Sequence, residues 1–330
     1  MPTIQEIAKL CKVSTSTVSR VLNNHPYVSE KIRREVLRVI EEMNYTPHFL
    51  ARGLRTNSSK LLAVSVPKAD HPFFAGLIKG ISLQALEFNY KVCVFQTFYC
   101  KENELELMKL LQNREVDGII LGALENMWDD IAPYLKRGPI LMCNEFHETA
   151  PVPILCYNEF ESGYTAVRHL IERGYRDIGF CFDTANSAAQ NMRKKGYLAA
   201  LSDHNLPYRE EWIFDGAFSI LDGIRIMDRI HHLPEKKPTA LFSGSDQVAA
   251  GLIKQAVNLG YSVPGDLAVI GYDNQPICRV TTPTITSIDI PVEQLGRQAV
   301  TRLLACLTEE LPLKREVTLF PTALVVREST

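Results

Sequence analysis

Apolar residues recur at two different spacings along this chain of 330 residues. Near the start they fall at i, i+3, i+4 and i+7, the period of an amphipathic helix, as in Ile4, Ile7, Ala8 and Cys11. From Leu61 onward, continuous apolar runs of strand length alternate with amphipathic helical segments. The change in spacing predicts a small all-helical unit followed by a larger α/β unit.

The stretch from position 3 to position 24 predicts two short helices joined by a tight turn. Thr3 and Glu6 have the spacing of a capping box, so the first helix is expected to begin at Ile4. The turn falls at Lys12 and the residue after it, and Ser14 is a suitable N-cap for the second helix.

The second of these helices has an exposed face without an acidic residue. Val18, Val21 and Leu22 supply its apolar stripe, and donor side chains lie opposite. Such a face suits a DNA major groove, where base edges offer acceptors and phosphates repel carboxylates. The pair is therefore predicted to be a helix-turn-helix, with an ordinary amphipathic helical pair as the alternative. The candidate DNA-contacting residues here are Thr15, Ser16, Thr17, Ser19, Arg20 and Asn23.

A third helix is expected between Ser29, its cap, and Pro47, which stops it. With this helix, residues 1–46 are predicted to form a three-helix DNA-binding headpiece, in which the other helices hold the second helix rigid for DNA contact.

Residues 47–59 are predicted to form a separate hinge segment. It is short, has no acidic residue and contains Gly53, so it should become ordered only when something binds it. Leu54 is placed to enter a minor-groove step as an apolar wedge, with Leu50 and Arg52 beside it. The alternative is a plain linker whose leucines pack on the α/β unit that follows it.

Residues 60–330 carry two series of strand-like runs. The first series occupies 61–67, 90–97, 117–124, 139–146 and 154–158, and the second occupies 178–183, 212–214, 240–246, 267–274 and 285–289. Continuous apolar strands between helices indicate parallel sheets covered on both faces, so two similar α/β lobes are predicted. A final strand pair is expected within 315–329.

Ligands of open parallel sheets bind beyond the carboxyl ends of the strands. The residues that follow the predicted strands include aromatic, amide, carboxylate and hydroxyl side chains, the usual lining for a sugar or a planar polar metabolite. Single positions also have simpler interpretations, since Asp246 could cap a helix and Phe73 could belong to the core. The candidate ligand-binding residues are Phe73, Phe74, Asn144, Asn158, Arg193, Phe218, Ser245, Asp246 and Asp273.

Charge is distributed unevenly although the net charge is only −2. Residues 1–60 hold ten Lys and Arg against five Asp and Glu, and the remainder holds 26 against 33. A basic head on an acidic body is expected when only the head meets a polyanion such as DNA. Hydrophobic residues make up 46% of the chain, yet no run reaches the roughly 20 apolar residues of a membrane span. The start lacks the features of a secretory signal, so a cytoplasmic location is expected.

Head, hinge and body together resemble the LacI/GalR family of bacterial transcription regulators over the whole length. The specific segment is TIQEIAKLCKVSTSTVSRVLNN followed by YVSEKIRREVLRVIEEMNYTPHFLARGLRT, and HPFFAGLIKGI is similar to the catabolite-control type. The resemblance implies a helix-turn-helix headpiece on a two-lobed α/β body (60–330) similar to periplasmic binding proteins, with parallel sheets. It also implies a homodimer on a palindromic DNA operator, controlled by a small-molecule effector such as a sugar. A phosphorylated carrier protein docking on the body is the alternative input.

Matched to the family, Thr15, Ser16 and Arg20 stand at base-reading positions and Leu54 at the minor-groove wedge. Phe73, Phe74, Arg193, Phe218 and Asp273 match effector-lining positions. The chain departs from the family at Tyr157 and Asn144, where Asp is usual or frequent, and at Ser245, where Asn is frequent. Two lost carboxylates alter which ligand hydroxyls the site can recognise.

Two other protein classes are less compatible with the sequence. A solute-binding protein of transport would need a signal peptide and no headpiece. The usual signatures of nucleotide, nucleophile and zinc enzymes, GxGxxG after a strand, GKS or GKT, GxSxG and HExxH, are absent from the sequence. Eight isolated cysteines without a CxxC pair argue against a disulfide framework or a zinc site. We therefore expect no catalytic residue, no cofactor and no metal.

Overall fold

The structure is a computed structural model in which residues 2–22, 25–45, 58–184, 187–308, 311 and 313–330 are described. The chain divides into two compact units, Met1–Ser59 and Lys60–Thr330. Most of the predicted hinge, with Leu50, Arg52 and Leu54, lies outside the described residues, and so does Asn23.

The described part of the first unit is helical. Its helices are α1 (Ile4–Leu10), α2 (Thr15–Leu22) and α3 (Glu30–Glu42). Their apolar faces meet in a small core, which explains why the predicted periodicity holds for all three. The buried residues of this core are Ile7, Ala8, Val18, Val21, Val36 and Val39.

The predicted helix caps are partly confirmed. The Thr3 hydroxyl accepts from the Glu6 backbone N–H at 3.2 Å, and the Glu6 carboxylate accepts from the Thr3 N–H at 2.8 Å, which completes the capping box. Ser14 accepts the Thr17 backbone N–H at 3.2 Å at the start of α2. Ser29 occupies the N-cap position of α3, but its hydroxyl makes no capping hydrogen bond.

Helix α3 ends at Glu42, earlier than Pro47 suggests. Asn44 adopts a left-handed backbone with φ of 46°, and the Tyr45 N–H donates to the Ile40 carbonyl at 2.9 Å. This is the Schellman arrangement, in which a left-handed residue ends a helix and satisfies its last carbonyls. The stop signal was therefore the asparagine rather than the proline.

The first lobe of the second unit is built on a six-stranded parallel sheet. Its strands are β1 (Leu61–Val66), β2 (Lys91–Gln96), β3 (Gly118–Leu121), β4 (Ile140–Cys143), β5 (Pro153–Tyr157) and β11 (Glu316–Phe320). They are arranged in the order β11-β5-β4-β3-β1-β2. The helices of this lobe are α4 (Pro72–Glu87), α5 (Lys101–Gln112), α6 (Trp128–Ile131) and α11 (Val292–Leu307), with a 3-10 turn at Ala132–Lys136.

The second lobe has the same plan with one antiparallel edge. Its strands are β6 (Ile178–Cys181), β7 (Ile213–Phe214), β8 (Ala240–Ser243), β9 (Ala268–Asp273), β10 (Thr286–Asp289) and β12 (Ala323–Val325), in the order β12-β10-β9-β8-β6-β7. Its helices are α7 (Glu159–Glu172), α8 (Ala188–Asp203), α9 (Ile220–His231) and α10 (Asp246–Asn258), with 3-10 turns at Glu210–Trp212 and Pro276–Arg279. The prediction of two similar α/β lobes is confirmed.

The last two strands do not pair with each other. Strand β11 runs parallel to β5 in the first sheet, whereas β12 runs antiparallel to β10 in the second. The expectation of a terminal strand pair was therefore wrong in its pairing. Hydrophobic alternation identifies a strand but does not select its neighbour, so the sequence could not separate the two.

The eight cysteines all lie within the described residues and carry free thiols. Cys143, Cys156, Cys181 and Cys278 are buried in the two sheets and their connections. Among the described residues, no helix is long and apolar enough to cross a membrane.

Candidate functional site

Helix α2 carries the predicted DNA-reading face. Thr15, Ser16 and Arg20 are exposed, and Thr17 and Ser19 are half-buried. The first turn of the helix contains no acidic residue. Because the apolar stripe of α2 packs into the core of the head, its donor side chains point outward on a rigid support.

Hydroxyl groups at the start of α2 bond to one another. The Ser14 Oγ lies 2.7 Å from the Ser16 Oγ and 2.9 Å from the Thr17 Oγ1. These contacts stabilise the first turn of the helix. They give Thr17 a structural role beside its predicted DNA contact, because its hydroxyl bonds to the cap.

The body contains a cavity between its two lobes that, together with the solvent space it opens into, encloses about 970 Å³. Residues just after the strands of both sheets line it, as expected for ligand sites in parallel sheets. Seven of the nine predicted ligand-binding residues lie in its wall. They are Phe73, Phe74, Asn144, Arg193, Phe218, Ser245 and Asp273.

Asn158 and Asp246 are not among the residues that line this cavity. The Asn158 Oδ1 caps α7 by accepting the Glu161 N–H at 3.2 Å. Asp246 is fully buried and accepts the Gln275 N–H and the Ser287 hydroxyl, both at 2.7 Å. Each side chain therefore stabilises the structure around the cavity and does not form part of the cavity surface.

The cap of α10 is Ser245 rather than Asp246. The Ser245 Oγ accepts the Gln247 N–H at 3.2 Å while the residue also lines the cavity. The simpler interpretation of Asp246 as a helix cap was therefore wrong. Burial raises the pKa of the Asp246 carboxyl to about 6, against the hydrogen bonds it accepts.

Arg193 is positioned by the close approach of helices α7 and α8. A Cβ on Gly163 would lie 2.4 Å from the Arg193 carbonyl oxygen, and one on Gly196 would lie 2.1 Å from the Phe160 carbonyl oxygen. Only glycine permits this spacing, which brings the Arg193 side chain to Glu159. The guanidinium donates twice to that carboxylate, from Nε at 2.5 Å and from Nη2 at 3.0 Å.

Two further contacts hold Arg193. Its Nη1 donates to the Gly244 carbonyl at 3.0 Å, and its guanidinium carbon lies 3.5 Å from the centre of the Tyr272 ring. A guanidinium has five N–H donors, so these bonds leave donors that can reach a ligand while the group itself stays fixed.

Aromatic rings at the start of α4 form one side of the cavity. The Phe73 and Phe74 rings meet edge to face with 5.1 Å between centroids. His71 caps the helix, its Nδ1 accepting the Phe73 N–H at 3.3 Å. Burial lowers the pKa of His71 to about 4, so this imidazole is neutral at pH 7. Phe73 is 6% exposed and serves the core as well as the wall.

Side chains of the two lobes meet at the cavity. Tyr99 of the first lobe lies 5.8 Å from Phe218 of the second, measured between ring centroids. The Lys68 Nζ lies 4.5 Å from the centre of the same Phe218 ring, a cation–π contact. These contacts depend on the angle between the lobes, because the residues belong to different sheets.

Several lining residues escaped the sequence analysis. Among them Lys68 follows β1, Tyr99 follows β2 and Glu145 follows β4, so the strand-end rule that identified Asn144 applied to them equally. The other polar residues of the wall that were not selected are Glu125, Thr184, Ser187 and Gln190. His71 and Asp183, which follow β1 and β6, line the wall as the strand-end rule expects.

The departures from the family have different consequences. Asn144 and Ser245 line the cavity, so these substitutions change its surface. Tyr157 is 3% exposed and packs in the core against Phe320, with 6.4 Å between ring centroids. Tyr157 therefore replaces the Asp that is usual in the family, but its side chain does not line the cavity.

Comparisons with known proteins match both units of the chain. Residues 3–48 match the model described as bacterial regulatory proteins, lacI family, and residues 167–330 match a periplasmic binding protein-like domain. The NTD biosynthesis operon regulator NtdR of Bacillus subtilis (strain 168) is 59% identical over 330 residues, covering all of both chains.

Two solved structures are similar over nearly the whole chain. The transcriptional regulator CelR–cellobiose complex has a TM-score of 0.73 at 26% identity and covers all of both chains. The lac repressor dimer bound to operator and the anti-inducer ONPF has a TM-score of 0.86 at 24% identity, covering 99% of this chain and 98% of that one. At 24% identity, the similarity to the lac repressor shows the fold alone.

A helix-turn-helix unit followed by a two-lobed body with a lined cavity defines a transcriptional regulator with a DNA-binding and an effector-binding domain. The chain belongs to the lacI family of bacterial regulatory proteins. It is a regulator and not an enzyme.

Proposed function

We propose that the chain binds a two-fold operator as a homodimer, represses transcription there, and is controlled by a small molecule bound between its lobes. The observation that carries the proposal is that the side chains suited to DNA contact lie in the first unit, whereas those suited to ligand binding lie in the second. An acid-free donor face lies on α2 of the head, and a cavity lined from both lobes lies in the body.

DNA contact is assigned to the exposed side chains of α2. Arg20 can donate two hydrogen bonds to one guanine, and Thr15 and Ser16 can reach neighbouring acceptors. One head covers one half-site, so a two-fold operator requires two copies of the chain. Asn23, Leu50, Arg52 and Leu54 remain predictions for the same interface.

Control is assigned to the cavity, because its wall is shared by two lobes. A ligand that touches Phe74 and Asn144 on one side and Arg193 and Phe218 on the other stabilises one angle between the lobes. Differential binding of this kind typically couples two sites by about 1–3 kcal/mol. The cellobiose in the CelR complex supports a sugar or a related polar metabolite as the ligand.

The DNA function is tested by selecting duplexes from a random library with the full-length protein and measuring affinities by fluorescence anisotropy. Arg20→Ala is expected to relax the base preference at one position of each half-site, whereas Arg34→Ala, an exposed arginine on α3, should lower affinity for all duplexes alike. Equal and sequence-independent losses in both variants would contradict the assignment.

The input is tested on the same duplex. A small molecule that changes operator affinity would support control through the cavity. If no small molecule changes operator affinity but a phosphorylated carrier protein does, the alternative input is correct and the cavity is not the control site.

A further inference from the structure

The wall of the interlobe cavity carries more acidic than basic groups. Glu125 and Glu145 come from the first lobe, and Asp183 and Asp273 from the second. The basic side chains of the wall are Lys68 and Arg193.

Most of the positive charge of this wall is already engaged. The Arg193 guanidinium is paired with Glu159, which lies behind the wall and is 6% exposed. The Lys68 ammonium lies over the Phe218 ring at 4.5 Å. Once the Arg193–Glu159 pair is counted as neutral, four carboxyl groups of the wall stand against a single lysine, so their ionisation can balance the charge of a positively charged occupant.

Three acceptor oxygens around the cavity have no hydrogen-bond partner among the described residues. They are Glu125 Oε1, Asn144 Oδ1 and Gln190 Oε1, and all three are buried. Gln190 as a residue is 7% exposed. Carboxylate and amide oxygens accept hydrogen bonds, and a buried acceptor without a donor is costly. A ligand rich in N–H donors would satisfy them, and an ammonium supplies three.

The carboxylates of the wall disfavour each other's charge. Burial, together with Glu104 behind it, raises the pKa of Glu125 to about 7. Burial and then Glu125 raise the pKa of Glu145 to about 8. Burial also raises the pKa of Asp183 and, strongly, that of Asp273. A cation between them would stabilise their ionised forms.

The acids are spread over both lobes. Among the described residues, no group of three or more His, Cys, Asp and Glu side chains could hold a metal ion. The other lining groups include the Phe74 and Phe218 rings and the hydroxyls of Thr184 and Ser187. Rings that can stack on a sugar face, beside hydroxyls that can bond to its hydroxyls, accept an organic molecule of sugar size.

We propose that the ligand of this cavity is a sugar-sized polyhydroxylated organic cation whose protonated amino group is bound by Glu125, Glu145 and Asn144. The inference rests on the proposed function, because it names the chemical class of the molecule that controls the regulator. Arg193, Thr184 and Ser187 then bind the hydroxyls of the ligand.

The test compares matched sugars with and without amino groups. Isothermal titration calorimetry of the full-length protein at pH 7 uses glucose against glucosamine, and cellobiose against chitobiose, the glucosamine dimer. N,N′-diacetylchitobiose serves as a neutral control of the same core. At least one amine is expected to bind about tenfold or more tightly than its neutral counterparts.

Variants assign the effect to the wall. Glu125→Gln and Glu145→Gln keep the shape of the side chain and are expected to reduce the preference for the amine about tenfold each. Glu148→Gln, an exposed glutamate three residues away from Glu145, should keep it. Thermal unfolding of each variant checks that the fold is intact.

Three results would overturn the inference: equal or tighter binding of the neutral sugars, failure of every amine to bind, or magnesium chloride stabilising the protein in place of the amines. Anisotropy with the selected operator separates these from the proposed function. A neutral sugar that binds and changes operator affinity overturns only the inference that the ligand is a cation. Amine binding by a protein without sequence-selective DNA affinity overturns only the proposed function.

Discussion

Arg193 and Glu159 form a two-point ion pair between α8 and α7, with both side chains 6% exposed. The Tyr272 hydroxyl donates to the same Glu159 Oε2 at 2.6 Å. The carboxylate therefore accepts three hydrogen bonds and is satisfied. The pair holds the Arg193 guanidinium in one orientation at the cavity wall, so it links the packing of the second lobe to the recognition of a ligand.

Breaking this pair from one side should be strongly destabilising. Arg193→Met leaves a buried carboxylate without its cation, so we expect a loss of about 3–5 kcal/mol in the free energy of unfolding. Glu159→Gln should also be costly, and the double variant should lose less than the sum of the single losses. Urea unfolding of the full-length protein measures all three.

A surface pair provides the control for this measurement. Arg225 is paired with Asp222 and its side chain is 74% exposed. Arg225→Met should cost at most about 1 kcal/mol. A loss of similar size from Arg193→Met would show that the buried pair does not hold the lobe.

Gly196 sets the distance between α7 and α8. In Gly196→Ala the new Cβ would lie 2.1 Å from the Phe160 carbonyl oxygen and 2.7 Å from the Tyr164 nitrogen, so the helices must separate. We expect a loss of about 1–3 kcal/mol and weaker ligand binding, because Arg193 moves with α8. Thermal unfolding and calorimetry measure the two effects.

Gly265→Ala is the matched control, since its Cβ would meet only the flexible Ser262 side chain. It should leave the unfolding temperature nearly unchanged. A Gly196→Ala protein that unfolds like Gly265→Ala would contradict the assigned close packing.

Stability of the ligand-free protein should depend on pH through Glu145. Folding raises the pKa of Glu145 from 4.5 to about 8, chiefly by burial. A carboxyl whose pKa is raised by folding contributes stability that is fully present below about pH 4.5 and is lost as the pH rises to about 8. Urea unfolding across this range should therefore show that the free energy of unfolding of Glu145→Gln rises relative to that of the unchanged protein as the pH rises. The exposed Glu148→Gln should follow the unchanged protein, and parallel profiles for both variants would rule out this role.

Asp246 and Asp273 should separate stability from ligand binding. Asp246→Asn turns an amide nitrogen toward Gln275 or Ser287, whose groups donate to the carboxylate, so we expect a loss of about 1–3 kcal/mol with ligand affinity nearly retained. Asp273→Asn, at the cavity wall, should weaken binding of the amine that calorimetry identifies, with a smaller loss of stability. The reverse assignment of effects would place Asp246 in the binding surface.

Local patterns predicted the elements of the fold well. The capping box of Thr3 and Glu6 and the strand-length apolar runs depend on neighbours within a few residues, so their signals are present in the sequence itself. The partners of the last two strands depend on which sheet edge is vacant, a property of the whole body. For this reason the pairing of 316–320 and 323–325 could not be predicted.

The candidate site was predicted at the level of the strand ends but not of the individual side chains. Ser245 and Asp246 are adjacent after β8, yet Ser245 lines the cavity and Asp246 turns into the protein. Asn144 and Glu145 both line the wall, although only Asn144 was selected. Neighbouring residues just after a strand point in directions that the surrounding packing decides.

The sequence by itself determined the class of this protein, because helix periodicity, caps and apolar strands are local and the headpiece motif is specific. Only the tertiary structure decided the electrostatic character of the cavity. Glu125, Glu145, Asp183 and Asp273 are separated along the chain and belong to two lobes. They meet because both sheets place their carboxyl ends at one cleft, and burial there makes their charges unfavourable until a cation binds.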